Sequence, residues 1–178
     1  MKKIICFTLV VILSISAFSQ NKTASIKTPG RTSFYAELGG PGILFSANID
    51  SRFKPTSLGW GGRFGLGFVT ADEATVINGN YIYDLVSVVT IPAQINYIFG
   101  NGESPHTFEV GAGLTYVGKE LEIFNFYGDK TSKLFGTASF MYRRQPVKGG
   151  FTWRIGFTPL IAKGYIQPTG GAGVGYSF

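Results

Sequence analysis

The sequence is poor in the residues from which catalytic and metal sites are commonly built. It contains one cysteine, Cys6, and one histidine, His106. Transition-metal sites use several Cys or His ligands, so we expect no metal and no cofactor. Ser104 and His106 together suggest a nucleophile and its base. Because two residues that close in a short turn are poorly placed to hydrogen-bond, we expect no enzymatic activity.

Charge is also sparse. Charged residues make up 15% of the chain, and the formal net charge is +6. No stripe of Arg and Lys is present, so nucleic acid is not an expected partner. Glycine-rich stretches at 59–67 and 170–175 could suggest phosphate-binding loops, but no helix is predicted after either one. We interpret them as parts of strands.

Long apolar runs are missing except at the N-terminus. Lys2 and Lys3 precede an apolar run over residues 4–18, and Ala17 and Ser19 supply small residues at its end. This layout predicts a secretory signal peptide over residues 1–19. The alternative, an uncleaved anchor helix, needs about 20 apolar residues. Residues 20–31 are polar and basic and are expected to form a flexible leader before one domain at 32–178.

Apolar and polar residues alternate through the rest of the chain, which is the signal of β-strands. The segment at 39–42 (Gly-Gly-Pro-Gly) is either a tight turn between two strands or a bulge in one long strand. With a turn there, eight strands are predicted, at 32–39, 42–53, 57–70, 86–99, 106–119, 133–145, 150–163 and 170–178.

The two faces of these strands differ in side-chain size as well as polarity. In the seventh strand, Trp153 and Ile155 share one face, whereas Arg154 and Gly156 share the other. The interior of an eight-stranded barrel is narrow, so the bulky face must point outward. Small and polar inside with large and apolar outside is typical of membrane barrels. We therefore predict an all-β fold, an eight-stranded antiparallel up-and-down transmembrane β-barrel.

The connections sort by length. Turns at 53–57, 100–105 and 145–149 are short and are expected in the periplasm. Segments 71–85 and 120–132 are longer and are expected outside the cell, with a shorter loop at 164–169. Aromatic residues in the two long loops are candidates for contact with an unknown extracellular ligand, or else extensions of the barrel wall. They are Tyr81, Tyr83, Phe124, Phe126 and Tyr127.

The C-terminus carries the clearest resemblance to a known family. Val174, Tyr176 and Phe178 alternate, and the chain ends on the aromatic residue. This ending, behind a signal peptide, resembles the small outer-membrane barrels of the OmpA/OmpX type. The resemblance implies an outer-membrane location, membrane lipid around the barrel, and recognition of the three residues by the barrel-assembly machinery.

The alternation also places charges inside the barrel. Buried charges must be paired, so these residues are expected to form a salt-bridged plug; the alternative is a selective pore lining. The predicted interior charges are Glu37, Asp50, Arg52, Arg63, Glu109, Arg143 and Arg154.

Three classes of function follow from this description. The first is a structural or surface-interaction barrel with a plugged interior. The second is a small porin-like channel or a transporter of apolar solutes. The third, a lipid-modifying barrel enzyme, is disfavoured by the scarcity of catalytic residues.

Overall fold

The computed structural model describes residues 30–77, 80–121 and 132–178. The predicted signal peptide and residues 20–29 of the predicted leader lie outside these ranges, as do the loop candidates Phe124, Phe126 and Tyr127. Gly30 and Arg31, which the sequence assigned to the leader, already bond to the barrel. The Gly30 amide donates to the Val147 carbonyl, and the Arg31 amide donates to the Phe178 carbonyl, both at 3.1 Å.

The described residues form ten strands in one antiparallel sheet. Strand β1 pairs with β10, and β5 pairs with β6, so eight of the strands close into a barrel and the predicted eight-stranded all-β fold is confirmed. Strands β8 and β9 form a short hairpin between β7 and β10. The strands are β1 (Thr32–Gly39), β2 (Phe45–Arg52), β3 (Gly59–Ile77), β4 (Asn80–Gly100), β5 (His106–Leu121), β6 (Ser132–Arg144), β7 (Gly150–Phe157), β8 (Leu160–Ala162), β9 (Tyr165–Gln167) and β10 (Gly170–Ser177).

Alternation along each strand separates an apolar outer face from the interior. On β3, Phe64 is 56% exposed, whereas the neighbouring Arg63 is 3% exposed. The same division holds on β7, where Ile155 is exposed and Arg154 is buried. Successive side chains of a strand point to opposite faces, so a two-residue period in the sequence becomes an inside and an outside.

The two ends of the barrel are built differently. The segments 53–58, 101–105 and 145–149 join strands at what we term the short-turn end. The opposite end, termed the hairpin end, carries the β3–β4 and β8–β9 hairpins and the link between β1 and β2. No helix in the described ranges is long and apolar enough to cross a membrane.

The predicted loop at 71–85 is wrong. Strand β3 continues to Ile77 and β4 begins at Asn80, with pairs running from Val69–Val88 to Ile77–Asn80. Tyr81 and Tyr83 therefore belong to β4 rather than to a loop. The sequence did carry a signal for this hairpin, because the dipeptide Asn-Gly at 78–79, between two apolar stretches, is typical of a two-residue hairpin connection.

The predicted seventh strand, 150–163, is also interrupted. β7 ends at Phe157, and Pro159 follows, which lacks the N–H needed for a continuous ladder. The Thr158 amide donates to the Thr169 carbonyl at 2.8 Å, which holds the interruption together before β8 begins. The β8–β9 turn uses Lys163 and Gly164, both at positive φ, as a two-residue hairpin connection.

Residues 39–42 form a turn between two separate strands. A short 3₁₀ turn, Gly40–Gly42, joins β1 to β2, and all three of its residues are buried. Gly39 and Gly40 have φ near +67° and +69°, values that side chains with a Cβ rarely adopt. These glycines direct the turn into the lumen instead of away from the barrel.

Candidate functional site

The barrel interior is the candidate site, and it contains all seven charged residues singled out from the sequence. None of Glu37, Asp50, Arg52, Arg63, Glu109, Arg143 and Arg154 is more than 3% exposed. They lie in the half of the lumen nearer the short-turn end. We refer to these seven residues as the charged layer.

Asp50 on β2 holds two of the arginines. One carboxylate oxygen pairs with Arg52, two residues along the same strand. The other oxygen lies 2.5 Å from Nη1 of Arg143, which projects from β6 on the far side of the barrel. Arg52 also donates to the Gly59 carbonyl at 2.9 Å. Asp50 therefore ties the wall at β2 to β6 and, through Arg52, to the start of β3.

Glu109 on β5 connects Arg154 on β7 with Arg143 on β6. Its two oxygens lie 3.0 and 3.1 Å from Nη2 and Nη1 of Arg154, a two-pronged pair. Nη1 of Arg143 lies 3.1 Å from the same carboxylate. The contacts of the two Nη1 atoms also have hydrogen-bond geometry, whereas Arg154 Nη2 makes a close ion pair only. Glu109 consequently has two guanidinium partners on separate strands.

Glu37 on β1 is held more loosely. Arg154 Nε lies 3.3 Å from one of its oxygens, and Arg63 Nη1 lies 3.6 Å from the other. Both arginines also donate to the hydroxyl of Tyr35, at 2.9 and 2.8 Å. The Arg154 guanidinium lies 4.9 Å from the centre of the Tyr35 ring. Tyr35 is thus a member of the network that alternation alone did not single out.

Neutral polar side chains complete the charged layer. Gln94 accepts a bond from Arg63 and donates to Thr137 at 2.7 Å. Asn96 accepts from Arg52 at 2.7 Å. Arg143 also donates to the Ser33 hydroxyl at 2.8 Å. These residues satisfy some of the donors and acceptors that the ion pairs leave over. Both Glu37 oxygens and the Nε atoms of the three arginines Arg63, Arg143 and Arg154 make no hydrogen bond among the described residues.

The charged layer leaves little room for water or solute. Around Tyr35, Arg143 and Arg154 the gap does not admit a water-sized sphere. Interior glycines provide the volume for the long side chains: a Cβ on Gly61 would collide with the Arg52 guanidinium, and one on Gly175 with Tyr35. Space freed by glycine is therefore filled by arginine and tyrosine.

A second layer, which the sequence analysis missed, fills the lumen nearer the hairpin end. Its residues are apolar, at most 6% exposed, and packed against one another. They come from the β1–β2 link, four wall strands and the β8–β9 hairpin. We refer to them as the apolar layer: Ile43, Val69, Val88, Val117, Phe135 and Leu160.

The inward turn lies between the two layers. Thr115 donates to the Pro41 carbonyl at 2.7 Å, and Thr90 donates to the Gly42 carbonyl at 3.0 Å. On its other side the turn covers Glu37, because a Cβ on Gly40 would stand 2.7 Å from the Glu37 carboxyl carbon. Ile43 follows the turn at φ +77°, an unusual conformation for a β-branched residue, with its side chain buried in the apolar layer.

The three C-terminal candidates lie together on the outer face of β10. Val174, Tyr176 and Phe178 are 55%, 58% and 63% exposed. Tyr176 pairs with Phe34 in the β1–β10 ladder, and the Phe178 amide donates to the Thr32 carbonyl at 2.8 Å. The final strand therefore closes the barrel while its three larger side chains point away from it.

Aromatic rings surround the short-turn end on the outer face. The Trp60 and Tyr97 rings meet edge to face with centroids 5.2 Å apart. A second chain of contacts runs from Phe99 through Phe108 and Tyr142 to Trp153, with centroids 5.3–5.9 Å apart. Strands β3 to β7 thus each place an aromatic ring near this end. Tyr176 adds one from β10, the strand next to β7.

Ser104 and His106 do not interact as a nucleophile and base. The Ser104 hydroxyl accepts the backbone amide of His106 at 3.2 Å, and the His106 ring bonds the Tyr142 hydroxyl instead. Both residues lie at the rim rather than in the lumen. Within the described ranges, no group of three or more His, Cys, Asp or Glu could hold a metal ion.

Comparison with known proteins gives one structural likeness. No family model and no curated protein matches the sequence. The crystal structure of the N-terminal β-barrel domain of Pseudomonas aeruginosa OprF matches with a TM-score of 0.55 and 13% identity. The match covers 83% of this chain and 96% of that domain. The chain therefore has the fold of this β-barrel domain, in agreement with the barrel fold that the resemblance at its C-terminus implied.

Proposed function

We propose that the protein is an outer-membrane β-barrel with a sealed lumen, and that it serves a structural or surface-interaction role. The observation that carries the proposal is the belt of large apolar side chains on the outer wall. Leu66, Ile95 and Phe140 are each 56–59% exposed, over an interior that holds seven charges. In water such a surface would drive aggregation; in lipid it is the favourable face.

The ring of aromatic residues supports an orientation. Aromatic side chains concentrate at membrane–water interfaces, and short turns face the periplasm in barrels of this kind. The short-turn end would then be periplasmic, and the β3–β4 hairpin would project from the cell. This placement implies membrane lipid and the barrel-assembly machinery as partners.

The two interior layers favour a closed barrel over a channel. A solute would have to displace the ion pairs of the charged layer, the turn at Gly40–Gly42 and the apolar side chains beyond it. No enzymatic role is proposed, because Ser104 and His106 bond elsewhere and lie outside the lumen.

Fractionation of the cell envelope tests the membrane placement. The mature chain should start at residue 20, be found in the outer-membrane fraction, and migrate differently on gels before and after heating. Recovery in the soluble periplasm would contradict the proposal.

The assembly signal has its own test. Phe178→Asp should remove most of the heat-modifiable form, because the terminal aromatic is the expected recognition feature. Phe178→Tyr, which keeps the ring, is the matched control and should assemble normally. Normal amounts of folded Phe178→Asp barrel would show that recognition lies elsewhere.

Conductance separates the sealed barrel from the channel alternative. The purified barrel in a planar bilayer should give no steady unitary current in 1 M KCl. Regular conductance steps from folded, heat-modifiable protein would favour the channel.

A further inference from the structure

The β3–β4 hairpin extends past its neighbours in the barrel, and both of its outer strand edges lack a partner among the residues that the structure describes. Strand β3 pairs with β2 only as far as Phe68, opposite Phe45, because the β1–β2 link turns into the lumen there. From Val69 to Ile77, β3 pairs with β4 alone among the residues that the structure describes. At about 3.3 Å per residue this edge is roughly 30 Å long. We refer to Val69–Ile77 as the open edge.

The open edge carries two acids, Asp72 and Glu73, but none of the lysines, prolines or bulges that most often protect an edge strand. Natural proteins block exposed edges with lysine, proline or a bulge, since unpaired backbone groups recruit other strands. Residues 69–77 contain neither lysine nor proline, and their pairing with β4 runs in unbroken register. A long regular edge of this kind is a template on which an extended peptide can add as a further strand.

The acidic residues of the β3–β4 hairpin indicate which kind of peptide the open edge would bind. The hairpin, residues 69–88, contains Asp72, Glu73 and Asp84 and no lysine or arginine, in a chain of net charge +6. The backbone register pairs Glu73 with Asp84, so two acidic residues share one position of the ladder. A second copy of the chain would bring three more acids to the edge. A basic segment would bring the opposite charge.

We propose that the open edge of β3 binds an extended, lysine- or arginine-rich polypeptide segment by strand addition. The main-chain bonds would supply affinity, and the acids of the hairpin would supply selectivity and a fast encounter. This inference rests on the proposed function, since the partner is expected on the side of the membrane to which the hairpin projects.

The test uses the full mature barrel in detergent micelles and fluorescein-labelled peptides that alternate lysine or glutamate with valine. Fluorescence anisotropy should show binding of the lysine peptide and no binding of the glutamate peptide. A lysine peptide methylated on every backbone nitrogen keeps its charge but cannot donate main-chain bonds, so it should not bind. Equal binding of the methylated peptide, or of the glutamate peptide, would overturn the proposal.

A charge variant tests the selectivity. The triple change Asp72→Asn, Glu73→Gln and Asp84→Asn should weaken binding about tenfold at low salt, where surface charges are least screened. Glu103→Gln, at the short-turn end, is the matched control and should leave affinity unchanged. Equal affinity of the triple variant and the parent would overturn the charge argument.

Two further readouts keep this proposal separate from the proposed function. Sedimentation that shows a dimer whose formation competes with the lysine peptide would assign the edge to a second copy and overturn the proposal. A barrel that fractionates with the outer membrane but binds no lysine peptide would overturn the partner assignment alone. A barrel found in the periplasm would instead overturn the proposed function.

Discussion

The charged layer and the apolar layer fill the same lumen by opposite means. The charged layer joins β1 to β7 through ion pairs, one of which, Asp50–Arg143, spans the barrel from β2 to β6. The apolar layer packs Ile43 and Leu160, both from connections at the hairpin end, against the wall. The charged layer depends on the geometry of its ion pairs, which are costly to break. The apolar layer depends on side chains of the right volume to fill the space. The turn at Gly40–Gly42 separates them.

Removing Glu109 should give the largest loss of stability. Glu109→Ala leaves Arg143 and Arg154 without their shared carboxylate, and breaking a buried pair from one side costs about 3–5 kcal/mol. The free energy of unfolding of the detergent-refolded barrel, from urea titration, measures the change. Glu103→Ala in an exposed turn is the control and should change it by no more than about 0.5 kcal/mol. A loss below about 1 kcal/mol from Glu109→Ala would show that the ion pairs contribute little.

Shrinking the apolar layer should cost less. Leu160 is fully buried, and Leu160→Ala should lower the free energy of unfolding by about 2–4 kcal/mol through lost burial and a remaining cavity. The loss should be the same at low and high salt, since no charge is involved, and this distinguishes it from a change in the charged layer. Ile161→Ala, on the exposed face of the same strand, is the matched control and should cost less in detergent. Equal losses from the two variants would contradict a packed layer at Leu160.

The members of the charged layer could be predicted from the sequence, whereas the apolar layer could not. Alternation placed Arg63 and Arg154 inside because a period of two residues fixes the face of every residue once one face is known to be apolar. Glu37 and Glu109 followed from the same rule. Their partners, by contrast, depend on the stagger between strands, and Tyr35 was assigned no role because a buried tyrosine does not stand out in an alternating pattern.

The apolar layer could not be read from the alternation. Val69, Val88 and Val117 occupy interior positions near the ends of predicted strands, where their apolar character contradicts the expected polar lumen. Their neighbour Ile43 enters the lumen because Thr90 and Thr115 hold the preceding turn, and residues so far apart in the sequence give no local signal. The extended β3–β4 hairpin, by contrast, has a local signal in Asn78 and Gly79. The acids and tyrosines around these two residues are also common in loops, which is why a loop was predicted there.

The hydrogen bond that holds the inward turn should contribute less than either layer. Thr115→Val keeps the shape of the side chain and leaves the buried Pro41 carbonyl without its donor, at a cost of about 1–2 kcal/mol. Thr56→Val removes a comparable bond to the Leu58 carbonyl at an exposed position and should cost less than about 0.5 kcal/mol. Thermal unfolding of both variants measures the difference. Indistinguishable midpoints for the two would mean that the bond from Thr115 does not stabilise the turn.

The smallest expected effect is the coupling between the two layers. Glu109 and Leu160 share no hydrogen bond or ion pair, and the turn at Gly40–Gly42 lies between their layers, so the losses from Glu109→Ala and Leu160→Ala should add to within about 0.5 kcal/mol. Glu109→Ala combined with Arg154→Met is the contrasting pair, because the second change removes one of the two arginines that lost a carboxylate partner in the first. That double variant should be more stable than the sum of its single losses predicts, by about 1–3 kcal/mol. If Glu109 and Leu160 were coupled as strongly as Glu109 and Arg154, the turn would be transmitting strain between the layers, and the lumen would have to be treated as one cooperative core.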